Sequence, residues 1–191
     1  RSARAVVCNA GNANAFTGAA GEASVRLTAE AVADAVGVLP DEVFVASTGV
    51  IGEPMPDDAL AVALPALAGA IDASSPEGWE AAAGAIRTTD TFSKGSARRI
   101  DGAVSHVVGI AKGSGMIAPD MATMLAFVFT DLPVEPRLLQ ECLETGVAKS
   151  FNRITVDSDT STSDTVLLFA TGEQIDDDLH SADDPRFPAF Q

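Results

Sequence analysis

The sequence predicts a protein of the α/β class. Short runs rich in β-branched residues alternate along the chain with longer alanine-rich stretches whose apolar residues recur at helical spacing. One run, residues 124–130, is apolar without alternation, which is typical of a central strand covered on both faces. With 191 residues, 47% of them hydrophobic, the chain can bury a substantial core. We therefore expect one large or two small α/β domains.

Five elements are predicted in the first half of the chain. Strands are expected at residues 4–8 and 42–47, and helices at residues 22–37, 57–71 and 76–87. The second helix starts at two aspartates, which are good N-cap residues, and contains Pro65, which predicts a kink. The third has Ser75 as its N-cap and Pro76 at the first helical position, where a proline sacrifices no hydrogen bond.

The second half is predicted to contain more strand than helix. After a hairpin turn at Asp101 and Gly102, strands are expected up to residue 111 and at residues 124–130, 153–157 and 165–172, with a helix at residues 135–150. The segment from residue 173 onward turns acidic and carries prolines. Such a composition favours an exposed excursion without a packed end.

The charge of the chain argues against two classes of partner. Acidic residues number 27 and basic residues 12, and the net charge of -15 repels polyanions and anionic membrane surfaces. The longest apolar stretches are interrupted by Pro65, Asp72 or Asp131 before they reach the roughly 20 residues that a membrane span needs. We expect neither a nucleic-acid nor a membrane partner.

Cysteine and histidine usage predicts neither a disulfide nor a metal site. Cys8 and Cys142 lie in apolar segments, where buried unpaired thiols suit a cytoplasmic protein. His106 and His180 form no metal-spaced cluster with them. The motif DSDTSTSD, at residues 157–164, lacks the glycine and the glutamate that an EF-hand calcium loop requires.

Two glycine-rich segments follow predicted strands. The first, NAGNANAFTGAAG at residues 9–21, precedes a helix, where backbone N–H groups can bind an anion, but it matches neither common nucleotide-binding glycine pattern. The second, STGVIG at residues 47–52, includes Gly49, which permits unusual backbone angles, and N–H groups there can form an oxyanion hole. Spacing alone favours ordinary turns for both segments.

A threonine at the entrance of the central predicted strand has two interpretations. In IAPDMATMLAFVF, residues 117–129, Thr123 either opens a strand, as β-branched residues do, or acts as a nucleophile. An unassisted threonine hydroxyl is a poor nucleophile, but cleavage of the Ala122–Thr123 bond would free an α-amine, with an ordinary pKa of about 7.7–8.0, as its general base. By itself, Lys112 in its glycine-flanked loop is most simply a solvated lysine.

Five blocks together resemble one known family. They occur in a single order and are NAGNANAFTG, STGVIG, TTDT, AKGSGMIAPDMATMLAF and FNRITVDSDTSTSDTVLL. This combination is similar to the ornithine acetyltransferase family, whose members are also called glutamate N-acetyltransferases or bifunctional arginine biosynthesis proteins. The resemblance extends from Arg4 to about Gly172, and KGSGMIAPDMATML is its most specific part.

The resemblance implies self-processing. Family members cleave themselves between the alanine and the threonine of the MATML block, which correspond here to Ala122 and Thr123. Residues 1–122 would then belong to an α chain and residues 123–191 to a β chain, with Thr123 as the N-terminal nucleophile. The implied fold is a layered α/β sandwich with two β-sheets between helices, similar in mechanism to N-terminal-nucleophile hydrolases. The implied assembly contains two α and two β chains.

The resemblance also implies a reaction. Thr123 would take the acetyl group of N-acetylornithine as an ester, release ornithine and pass the acetyl group to glutamate, without a metal or an organic cofactor. The family's oxyanion hole corresponds to Thr48 and Gly49, and its substrate-binding residues correspond to Thr88, Lys112 and Thr123 itself. Use of acetyl-CoA as a second acetyl donor, as in bifunctional members, is left open.

Several features depart from the family pattern. Asp120 and Ser163 stand where the family more often has asparagine, and Ser158 where it has glycine; an aspartate before Met121 is expected to alter the rate of cleavage. Family members are considerably longer, so we expect an internal fragment that lacks N-terminal strands and the binding residues beyond Gln191.

Two rival functions remain: a self-processing peptidase or amidase that uses the same threonine, and a non-catalytic fragment or binding module.

Overall fold

The computed structural model describes residues 2–56, 59–71, 75–115, 124–156, 161, 163–173, 179 and 181–190. The chain forms two compact units, Arg1–Gly78 and Trp79–Gln191. Its elements are β1 (Ala5–Asn12), α1 (Gly18–Val36), β2 (Val43–Val50), α2 (Ala59–Ala70), α3 (Pro76–Ala85), β3 (Lys94–Arg99), β4 (His106–Lys112), β5 (Leu125–Thr130), α4 (Pro136–Lys149), β6 (Thr165–Ala170) and α5 (Phe187–Phe190). Two sheets and the helices around them confirm the α/β class.

The first unit is built on a parallel strand pair. β1 and β2 run side by side in a register that pairs Ala5 with Val43 and Gly11 with Gly49. Helix α1 connects them, and it ends at Gly37, whose left-handed backbone lets its N–H donate to the carbonyl of Ala33. The apolar residues of β2 and of the helices form the core, whose buried members are Val32, Ala33, Val43 and Leu64.

The helices follow the sequence signals closely where the structure describes them. The hydroxyl Oγ of Ser75 accepts a hydrogen bond from Gly78 N–H at 3.0 Å, which confirms the predicted cap of α3. Pro65 lies inside α2, as expected. The two aspartates predicted to cap α2 lie outside the described residues. Of the helices that the structure describes, none is both long and apolar enough to cross a membrane.

The second unit contains a four-stranded sheet in the order β3-β4-β5-β6. β4 pairs antiparallel with β3 and β5, whereas β6 pairs parallel with β5. The central position of β5 is confirmed, because Leu125 and Ala126 are fully buried. The hairpin turn is also confirmed at Gly102, which has a positive φ of 81°. Strand β3 precedes that turn and was not predicted in its own right.

The prediction of a strand at residues 153–157 is wrong for the residues of that range that the structure describes. A 3-10 helix spans Phe151–Arg153, and Ile154 N–H closes it by donating to the carbonyl of Phe151 at 3.1 Å. Thr155 follows without joining a strand. The strand predicted next is present as β6, but it is only half buried because it forms the edge of the described sheet.

The prediction of an exposed, unpacked acidic segment is also wrong for its described part. Leu179 is fully buried, and its N–H donates to the carbonyl of Pro133 at 2.9 Å. It belongs to a core cluster with Leu132, Leu138 and Cys142, against which the aromatic residues of α5 pack. Cys142 is thus buried as predicted, whereas Cys8 is only half buried.

Candidate active site

The predicted cleavage position lies outside the described residues. The structure describes the chain up to Gly115 and again from Met124, so Ala122 and Thr123 fall between these two points. Their roles stay predictions. The predicted division into residues 1–122 and 123–191 likewise stays a prediction.

The predicted oxyanion residues lie at the end of β2 in the first unit. Thr48 is fully buried, and Gly49 has a positive φ of 134°. A Cβ atom on Gly49 would stand 2.3 Å from the carbonyl carbon of Gly11 and 2.6 Å from the nitrogen of Asn12. Two parallel strands therefore meet backbone to backbone at this position, which only glycine can occupy without displacement.

Hydrogen bonds connect the first glycine-rich segment to the second one and to Glu53, the residue that follows it. Asn12 Nδ2 donates to the carbonyl of Glu53 at 2.9 Å, and Asn12 Oδ1 accepts from Asn14 N–H at 2.7 Å. The backbone adds a bond from Gly52 N–H to the carbonyl of Ala15 at 2.9 Å. The two segments, which the sequence analysis treated as separate turns, are thus connected by hydrogen bonds.

A Gly49→Ala substitution is expected to lower the free energy of unfolding by about 4 kcal/mol, since a strained backbone costs about 1–3 kcal/mol and overpacking adds about 1–3 kcal/mol. The matched control is Gly37→Ala, where φ is also positive at 73° but nothing lies within 4 Å of the new Cβ. That variant should lose only about 1 kcal/mol. Urea unfolding of the full-length gene product, followed by circular dichroism, measures both; equal losses would contradict the close-contact explanation.

Lys112 and Thr88 are brought together in the second unit. Lys112 Nζ donates to Thr88 Oγ1 at 2.9 Å, across 24 residues of sequence. Lys112 is the last residue of β4 and only 2% exposed, which corrects the expectation of a solvated lysine in a loop. Thr88 is exposed. A buried cationic group therefore donates to the hydroxyl of an exposed threonine.

Asp90 belongs to the TTDT block, but the sequence analysis gave it no role of its own. Its buried carboxylate pairs with Lys94 Nζ and accepts from Gly113 N–H at 2.7 Å. Burial alone would raise the pKa of Asp90, but the hydrogen bonds from Lys94 and Gly113 outweigh it and the pKa lies below its ordinary value. Asp90 thus ties the loop that carries Thr88 to the residue after Lys112.

Asp164, just before β6, is a second carboxylate to which the sequence analysis gave no role. Its Oδ1 accepts from Met124 N–H at 2.5 Å. Its Oδ2 is buried and has no hydrogen-bond partner among the described residues. Burial raises the pKa of Asp164 above its ordinary value, although the Met124 N–H and the charge of Lys112 act in the opposite direction.

Lys112, Thr88, Asp90 and Asp164 form one polar group at an end of the four-stranded sheet. Lys112 pairs with Leu125 and Leu125 with Thr165, so Met124 and Asp164 lie at the same strand ends. Such a group can bind a small polar ligand, because a buried charge and exposed hydroxyl donors fix its orientation. In the described ranges, no three His, Cys, Asp or Glu side chains group as metal ligands.

Comparison with known proteins gives a consistent result. The model of the ArgJ family matches residues 1–191. The chain is 53% identical over 194 residues to the arginine biosynthesis bifunctional protein ArgJ of Agrobacterium fabrum, an alignment that covers 99% of this chain and 46% of that protein. It is 54% identical to the protein of that name from Rhizobium meliloti, with 99% and 46% covered.

A solved structure of a protein with the same name is also similar to this chain. The crystal structure of the arginine biosynthesis bifunctional protein from Bacillus halodurans is similar with a TM-score of 0.53 and 35% sequence identity, covering 60% of this chain and 59% of that one. The chain spans about half the length of the curated relatives it matches. From the match of residues 1–191 to the family model and from these identities, the chain belongs to the ArgJ family.

Proposed function

We propose that the full-length gene product is an acetyltransferase of arginine biosynthesis that moves the acetyl group of N-acetylornithine to glutamate. The observation that carries this proposal is the contact between Lys112 and Thr88. The family resemblance assigns both residues to substrate binding from two separate blocks of sequence. Their direct hydrogen bond supports the assignment, because it brings a buried lysine and an exposed threonine from two separate blocks to one place.

The proposed reaction begins with cleavage of the Ala122–Thr123 bond. The freed α-amine takes the proton of the Thr123 hydroxyl, whose oxygen attacks the acetyl carbonyl of N-acetylornithine. Ornithine leaves with that proton, and the acetyl group remains as an ester on Thr123. The amine of glutamate then attacks the ester, and N-acetylglutamate leaves as the threonine hydroxyl is restored.

Two further groups have defined tasks in this proposal. Thr48 and Gly49 stabilise the negative oxygen of each tetrahedral intermediate, for which the rigid Gly11–Gly49 contact provides a preorganised backbone. Thr88 Oγ1 accepts from Lys112, so its own O–H is left to donate to a substrate oxygen. Lys112 supplies positive charge for the substrate carboxylate. We further propose a layered, self-processed assembly of two α and two β chains that acts in the cytoplasm.

Substrate competition tests the proposal against its rivals. Purified full-length protein should form N-acetylglutamate from N-acetylornithine and glutamate, and it should hydrolyse aminopeptide substrates at least about 100-fold more slowly, since hydrolysis requires water to replace a bound amine acceptor. Preferential peptide hydrolysis would favour an N-terminal-threonine peptidase or amidase. A stable protein that binds no acylated amino acid would favour a non-catalytic role. A parallel assay with acetyl-CoA determines whether it is a second donor.

A further inference from the structure

We propose that Asp90 is a positioning residue of the substrate site, whose buried carboxylate holds the Thr88 hydroxyl against Lys112. This inference rests on the proposed function, in which Thr88 and Lys112 bind the substrate. It assigns a role to a residue that the resemblance leaves without one. Its basis is the set of contacts between the TTDT block, residues 88–91, and the end of β4.

Three consecutive residues of the TTDT block contact residues 112–114, where β4 ends. The contacts join Thr88 to Lys112 at 2.9 Å, Thr89 to Ser114 at 2.9 Å and Asp90 to Gly113 at 2.7 Å. Thr88 and Thr89 are exposed, and the hydrogen bond of an exposed hydroxyl competes with water and contributes little net stability. The side chain of Asp90, in contrast, has no exposed surface. The buried carboxylate is therefore the contact that fixes the block.

The carboxylate of Asp90 connects three backbone segments. Its Oδ1 accepts from Gly113 N–H and pairs with Lys94 Nζ, and its Oδ2 accepts from Thr88 N–H at the longer distance of 3.5 Å. Lys94 is the first residue of β3, the neighbour of β4 in the sheet. The carboxylate thus holds the backbone of Thr88 and the backbone next to Lys112 at the same time.

The ion pair with Lys94 keeps the carboxylate charged in its buried position. Burial opposes the charged form, but the hydrogen bonds and charge of Lys94 and the N–H of Gly113 outweigh it, so the pKa of Asp90 lies below its ordinary value. Hydrogen bonds to an ionised acceptor are roughly twice as strong as those between neutral groups. An anionic Asp90 therefore holds Gly113 N–H more firmly than a neutral amide would.

The position of Thr88 needs such support because the residue lies in the loop between α3 and β3. A binding group displaced by about 1 Å can lower a reaction rate about 100-fold. With Asp90 in place, the Thr88 hydroxyl and the Lys112 ammonium are already 2.9 Å apart before a substrate arrives. Such preorganisation lowers the free-energy cost of binding.

The test is steady-state kinetics of acetyl transfer by the full-length gene product. Asp90→Asn keeps the size of the side chain and an acceptor for Gly113 N–H but removes the charge. We expect kcat/KM for N-acetylornithine to fall about 30-fold, mainly through a higher KM, with kcat reduced less than about threefold. Cleavage, measured by mass spectrometry, should be retained.

A double-mutant cycle with Thr88→Val distinguishes positioning from a general structural role. If Asp90 acts through Thr88, Asp90→Asn in the Thr88→Val background should lower kcat/KM further by less than about threefold, because the hydroxyl that it positions is absent. A carboxylate that only supports the fold would cause the same loss in both backgrounds.

Asp131→Asn is the matched control. Asp131 also accepts a backbone N–H, from His106 at 2.7 Å, and its second oxygen lies 3.6 Å from His106 Nδ1, but at the opposite end of β5. Its kcat/KM should change less than about twofold, because it has no contact with the substrate site. If Asp90→Asn does not fold, Asp90→Asn combined with Lys94→Met removes both charges of the pair, a change that is often neutral for stability, and the same loss is expected.

The outcomes separate the two proposals. A wild-type protein that transfers no acetyl group contradicts the proposed function and this inference with it. An active wild type together with a folded Asp90→Asn variant of unchanged kcat/KM contradicts this inference alone. Equal losses with and without the Thr88 hydroxyl would overturn it in favour of a purely structural carboxylate. A fall of kcat without a rise of KM would overturn it in favour of a role in the chemical steps, and a folded but uncleaved variant in favour of a role in cleavage.

Discussion

Thr123→Ala in the full-length gene product is expected to leave a single uncleaved chain and to reduce acetyl transfer at least about 10⁴-fold. The substitution removes the hydroxyl that would attack both the Ala122 carbonyl and the acetyl group, and removal of an enzyme nucleophile typically causes losses of this size or larger. Mass spectrometry measures the cleavage, and the formation of N-acetylglutamate measures the transfer.

Thr123→Ser is the control for that variant. Serine keeps the hydroxyl and loses only a methyl group, so it should cleave and should retain measurable transfer. An alanine variant that still transfers acetyl groups would show that another residue is the nucleophile. An inactive serine variant that folds and cleaves would show that the methyl group of Thr123 has its own role in positioning.

Lys112→Met is expected to lower kcat/KM for N-acetylornithine about 100-fold. Methionine has a similar length, so the buried volume is largely kept while the charge and the hydrogen bond to Thr88 are lost. Truncating one partner of a buried charged contact typically costs about 2–5 kcal/mol. Steady-state kinetics measures the loss. Lys149→Met is the matched control, because Lys149 lies exposed in the last turn of α4 and should change kcat/KM less than about twofold.

A double-mutant cycle tests whether Lys112 acts through Thr88. Thr88→Val should also lower kcat/KM about 100-fold, since it removes the hydroxyl but keeps the shape. If Lys112 and Thr88 act together on the substrate, kcat/KM of the double variant should be at most about tenfold lower than that of either single variant. Fully additive losses would contradict the coupling inferred from their hydrogen bond.

Local chemistry explains what the sequence could predict. The Ser75 cap of α3 and the buried strand β5 depend on neighbouring residues, so their patterns are visible in the chain itself. The strand predicted around Ile154 fails for the opposite reason. Its β-branched residues favour a strand only where another strand is available to pair with, and local hydrogen bonds form a 3-10 helix before it.

Burial and site geometry were harder to predict because they depend on distant partners. Leu179 sits among aspartates, and its burial arises from the Pro133–Val134 segment, far away in sequence. The family resemblance could identify Lys112 and Thr88, but it gave no role to Asp90 or Asp164. Single aspartates carry no periodic signal, and their importance appears only when a carboxylate meets the backbone N–H of a residue outside its own segment.

The measurement that tests the central claim most directly is the intact mass of the active, full-length gene product. Self-processing predicts two chains, the second of which begins at Thr123, with masses that sum to the encoded protein plus one water. N-terminal sequencing of the second chain should begin Thr-Met-Leu-Ala. A single intact chain in fully active enzyme would contradict the account, because Thr123 would then have no α-amine to act as its base.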